Sequence, residues 1–211
     1  TDASAPVQYA CQRNFGMLFT DGFSNVPDNN DGITTLGNID GNQGAPYADS
    51  VSGTMADAVM DAYINPLRTG AAFPSGKLTV PIGCNAQNPD PRLDCSRDLH
   101  MNFYAVTLGT RGLQFNPDAD PPQDPYTTQP TWPTNFPARH PSAVDDIWHA
   151  TLNGRGQLLN AKSPREISEK LGAVLRTIVD KTSSASSASV NSGSLNTGTR
   201  IYQARFNSST W

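Results

Sequence analysis

Asn14-Phe15-Gly16-Met17-Leu18-Phe19-Thr20, closed by Asp21-Gly22, is the stretch on which the fold turns. It is short, apolar without alternation, and ended by a turn pair. That pattern predicts a strand covered on both faces, as in a parallel sheet. Residues 23–51 that follow are rich in Asn, Asp and Gly and read as loop. Residues 54–67 then carry an apolar stripe (Met55, Val59, Tyr63 and Leu67, flanked by Ala56, Met60 and Ile64) and predict a helix. Ser52 or Thr54 would cap it, and Asp57 suits its positive end.

Further downstream, a Pro/Gly-rich insertion over 68–97 precedes a second buried strand, 100–108. Residues 110–142 are Pro-, Asp- and aromatic-rich, poor in aliphatics, and expected on the surface. A short helix over 144–152 leads into Asn153-Gly154-Arg155-Gly156, whose glycines suit a C-cap and turn. An edge strand is expected over 157–160. Ser163-Pro164-Arg165-Glu166 is a capping box opening a helix that ends near Lys181. Residues 182–198 form a Ser/Ala-rich linker, and the alternation in 199–206 reads as a half-buried strand. Strand-helix repetition of this kind predicts an α/β fold: a partial Rossmann-type parallel sheet with helices on both faces and long loop insertions. Three strands are few for an open sheet, so either earlier strands are missing or they are held on another piece of polypeptide.

Charge and cysteines narrow the function classes. A net charge of −4 without a basic block gives no footprint for nucleic acid. No apolar run approaches the roughly 18 residues of a membrane span. No signal peptide opens the chain, so an export signal would lie upstream of Thr1. Cys84 and Cys95 bracket a short Pro-rich loop and are expected to pair, two unrelated thiols being the alternative. Cys11 is then odd, and a partner upstream of Thr1 would explain it.

Chemistry-bearing motifs are sparse. Asp21 ends a strand where open α/β sheets bind ligands, and with its polar loop it is a candidate ligand for Mg²⁺ or Ca²⁺; an ordinary turn is the alternative. Asp28 and Asp31, in Asp28-Asn29-Asn30-Asp31-Gly32, are a second calcium candidate. Placing Gly32 at position 6 of an EF-hand puts Pro27 at position 1, so that register fails. A different calcium loop and a solvated Asx turn both stay open. Asp145 and His149 stand four apart and could pair on a helix. No Gly-x-Ser-x-Gly, phosphate loop or second His at zinc spacing accompanies them. A non-enzymatic role is expected, with Asp146, Trp148 and His149 capping a helix and docking an aromatic into the core.

The strand Phe15 to Gly22 is similar to the fourth strand of a von Willebrand factor A domain, in which the Asp belongs to a metal-dependent adhesion site. Asn38-Ile39-Asp40-Gly41, Pro46-Tyr47-Ala48-Asp49-Ser50 and Met55-Ala56-Asp57-Ala58-Val59-Met60 resemble the PilC/PilY type of pilus tip adhesins. So do Asp145-Asp146-Ile147-Trp148-His149-Ala150 with Asn153-Gly154-Arg155-Gly156, the most specific block, and the tail 199–211. The resemblance implies that 1–181 is the C-terminal half of an A-like domain, 182–198 a linker and 199–211 the first strand of a β-propeller. It implies a type IV pilus biogenesis factor and adhesin, exported to the outer surface of a Gram-negative bacterium. Its implied partners are minor pilins, host or abiotic surfaces, and the remainder of its own polypeptide. The adhesion site's Asp-x-Ser-x-Ser does not occur in the chain, so only Asp21 is carried over. A generic exported A-domain module unrelated to pili is the alternative, and a hydrolase using Asp21 with Asp145 and His149 a third reading.

Overall fold

The computed structural model describes residues 4–25, 35–183, 189–190 and 201–202. In chain order the elements are β1 (Asn14–Thr20), α1 (Met55–Ile64), β2 (Met101–Leu108), α2 (Ser142–Asn153), β3 (Leu158–Ala161), α3 (Pro164–Ser183), β4 (Ser189–Val190) and β5 (Ile201–Tyr202). The chain divides into two compact units, Thr1–Lys170 and Leu171–Trp211. In the second, β4 pairs antiparallel with β5. The remainder of the expected linker and propeller strand lies outside the described residues, as do Asp28 and Asp31.

The first unit is α/β, as the strand-helix alternation predicts. β1, β2 and β3 pair in parallel and in sequential order. Right-handed crossovers between sequential parallel strands put α1 and α2 on the same face. The register sets Leu18, Ala105 and Leu158 in one row across the sheet. That row meets Ala56, Val59, Met60 and Tyr63 of α1 and Val144, Ile147 and Trp148 of α2 in one core.

Helix α1 ends a turn earlier than its apolar stripe predicts. Asn65 precedes Pro66, whose ring disfavours the helical region for its neighbour, and Asn65 is extended at φ −98°, ψ 136°. Helix α2 is buried along all twelve of its residues, which makes it the central helix of the unit. Its burial depends on the segment 110–142, expected on the surface. Much of that segment is exposed, but Trp132 is buried, packs edge-on against Trp148 and donates its Nε1–H to Pro46 O at 2.9 Å. Phe115 and Tyr126 pack against the same core. A few aromatics thus seal the helix where aliphatics are scarce.

Gly154 is the C-cap of α2, as expected, and the chain then turns at Arg155, which lies in the left-handed region at φ 54°. Its guanidinium holds the turn, bonding Leu152 O and Asn153 O and lying over the rings of Tyr47 and Tyr63. Both flanking glycines also serve close approach. A Cβ on Gly156 would lie 1.8 Å from Phe103 O, and one on Gly154 would lie 2.7 Å from Phe103 N. Cys84 and Cys95 form the expected disulfide, and Cys11 is free and exposed. Beside the disulfide, buried Asp94 meets Tyr63 Oη, His100 Nε2 and Asn102 Nδ2, tying the insertion to α1 and β2.

Candidate functional site

The capping box at α1 is reciprocal: Asp57 N–H donates to Thr54 Oγ1, and Thr54 N–H donates to Asp57 Oδ2. Two helix-start amides remain, and Asp146 of α2 accepts both, from Met55 at 2.9 Å and Ala56 at 3.1 Å. The carboxylate thereby sits on the positive end of the α1 dipole. Adjacent Asp145 points elsewhere and accepts the amides of Leu113, Gln114 and Phe115 at 2.7–3.0 Å. Burial holds its carboxyl above the ordinary range in spite of those three donors. Asp145 and His149 therefore do not pair.

His149 instead faces the loop before α1. Its ring stacks on Trp132 with centroids 4.1 Å apart, and its Nε2 lies 2.6 Å from Tyr47 O. Asp40 Oδ2 is 3.5 Å from Nε2, and Asp49 Oδ2 is 3.6 Å from Nδ1. Asp40 is held by Asn153 Nδ2 at 2.8 Å and by Asp49 N at 3.3 Å. Asp49 Oδ1 accepts Val51 N–H, whereas its buried Oδ2 has no hydrogen-bond partner. Ligand atoms of Asp40, Asp49 and His149 lie within 4.8 Å of one another, a grouping that fits a cation. Burial, then the charge of Asp49, raises Asp40 to about 7. Burial raises Asp49 to about 6 and lowers His149 to about 4. Each shift favours the neutral form, the signature of charge with little compensation.

Asp21 is exposed at the end of β1, outside this group. The Thr20 hydroxyl beside it already accepts Gly22 N–H. One exposed carboxylate does not make the several-oxygen shell that Mg²⁺ or Ca²⁺ requires, so the described residues at this strand end do not fit the implied ion. Asp40, Asp49 and His149 all stand in blocks that carry the resemblance, yet sequence reasoning does not join them. A loop and a helix 100 or more positions away supply the set, and no spacing rule spans that distance.

Two relatives frame this geometry. The chain is 24% identical to the type IV pilus biogenesis factor PilY1 of Pseudomonas aeruginosa strain UCBPP-PA14, over 90% of the chain and 18% of that protein. It is 27% identical to the PilY1 of strain PAK, over 88% of the chain and 17% of the relative. The chain thus spans under a fifth of the length of the curated relatives it matches. No family model matches it, and no solved structure does.

Proposed function

We propose, from that likeness to PilY1, that the chain serves type IV pilus biogenesis as an α/β module of a longer exported protein. The observation that carries the reading is similarity over 88–90% of the chain to proteins named for that role. The block of the sequence most specific to the resemblance supports it, because those residues hold the module together. Asp145 and Asp146 bind backbone amides of two other segments, Asn153 holds Asp40, and Arg155 clamps two tyrosines. Side chains so committed act by fixing a shape for a partner. The role we propose is non-enzymatic: contact with minor pilins at the pilus tip and attachment to surfaces.

An in-frame deletion of this segment from the parent gene tests the proposal, with surface pili counted and twitching motility measured. Loss of both, restored by the intact gene, supports it. Normal piliation and twitching with the parent protein exported would overturn it in favour of an A-domain module unrelated to pili.

A further inference from the structure

We propose that Asp40, Asp49 and His149 bind one divalent cation of the Zn²⁺ or Mn²⁺ class, clamping the loop before α1 to α2. The argument begins at His149 Nε2, 2.6 Å from Tyr47 O. A carbonyl oxygen only accepts, so Nε2 carries the hydrogen, and Nδ1 of the neutral ring carries a lone pair. Facing Nδ1 at 3.6 Å is Asp49 Oδ2, another lone-pair atom, on a side chain only 5% exposed and without a hydrogen-bond partner. Buried acceptors are normally satisfied, and 3.6 Å is too long for an N–H···O bond. It does suit two ligands of one ion: bonds of about 2.0–2.2 Å at a tetrahedral angle separate their donor atoms by about 3.4 Å.

Charge argues the same way. The hydrogen bonds at Asp40 and Asp49 come from Asn153 Nδ2 and from the amides of Asp49 and Val51, all neutral donors. Asp57, buried on the adjoining α1, adds a third carboxylate to the local field. A divalent ion would offset this buried negative charge. Imidazole among the donors favours Zn²⁺ over the hard oxygen-seeking Ca²⁺ and Mg²⁺, and the two carboxylates admit Mn²⁺. Ser50, next to Asp49 in the chain, is exposed.

Calorimetric titration of the metal-stripped chain with Zn²⁺ alone, and then with Mn²⁺ alone, tests the proposal. The Cys11→Ser background removes the exposed thiol as a competing ligand. One equivalent should bind and raise the melting temperature, and EDTA should reverse the rise. Asp49→Asn keeps the oxygen that accepts Val51 N–H, so it should stay folded while binding weakens at least tenfold. His149→Gln should weaken binding comparably, and Asp21→Asn should leave it unchanged. Absence of binding heat with a melting temperature indifferent to Zn²⁺, Mn²⁺ and EDTA would overturn the proposal. So would unweakened binding by a folded Asp49→Asn chain, or loss of binding in Asp21→Asn alone.

Discussion

Asp146 on α2 accepts the backbone N–H of Met55, the first residue of α1, at 2.9 Å across 91 positions of chain. The same carboxylate takes Ala56 N–H, so two otherwise unpaired donors of α1 are satisfied by another helix. Asp146→Ala would leave the buried Ala56 amide and the half-buried Met55 amide unpartnered, at a cost of about 2–3 kcal/mol. Asp146→Asn keeps one acceptor oxygen and should cost roughly half as much. Urea denaturation of the three proteins checks the order, and equal midpoints would show that the cap contributes nothing.

Glycines at two places should respond very differently to alanine. A Cβ at Gly156 would enter the Phe103 carbonyl at 1.8 Å, so Gly156→Ala must separate β2 from the turn after α2. The expected loss is about 3 kcal/mol or more, with falling soluble yield. Gly44, at φ 75°, has nothing within 4 Å of its Cβ position, so Gly44→Ala meets only backbone strain of about 1 kcal/mol. Comparable midpoints for the two variants would contradict this account.

The signals legible in the sequence are those that repeat locally. The apolar runs 14–20 and 100–108 each predict a buried parallel strand; both form in register, but β1, at the edge of the three-stranded sheet, is only half-buried and Phe19 is exposed. The end of α1 is legible at Pro66 once that proline is weighed above the apolar stripe that runs past it. Trp132 is not legible, because a Pro-rich segment without periodicity gives no sign that one indole seals α2. The convergence of Asp40, Asp49 and His149 is tertiary, created by the sheet that brings the loop against the helix.

Opening the disulfide should loosen the insertion more than the core. Cys84 and Cys95 are separated by 11 positions, and closing so short a loop removes chain entropy worth about 3 kcal/mol. Beside Cys95, Asp94 holds Tyr63, His100 and Asn102, so loosening there reaches α1 and β2 through that carboxylate. The Cys84→Ser/Cys95→Ser chain should lose about that much stability. Its amide exchange should accelerate over 78–98 before it does in α2.

Tyr63 contributes to an alkaline limit of the fold, alongside Tyr47, Tyr104 and Tyr126, whose phenols burial also raises. It is 7% exposed, and burial, opposed by the Arg155 guanidinium over its ring, raises its phenol from 10.0 to about 12. A phenol whose folded value lies above its unfolded one favours the folded state while protonated. That stability is complete below pH 10 and is lost as pH rises toward 12, a loss of order 2 kcal/mol. Denaturant midpoints should therefore fall across this window, measured in the Cys11→Ser background so that no free thiol attacks the disulfide. Tyr63→Phe cannot ionise and should lose less there, although at neutral pH it forfeits about 1 kcal/mol with the Asp94 hydrogen bond. A parent chain and a Tyr63→Phe chain that weaken in parallel from pH 10 to 12 would place the alkaline limit at another group.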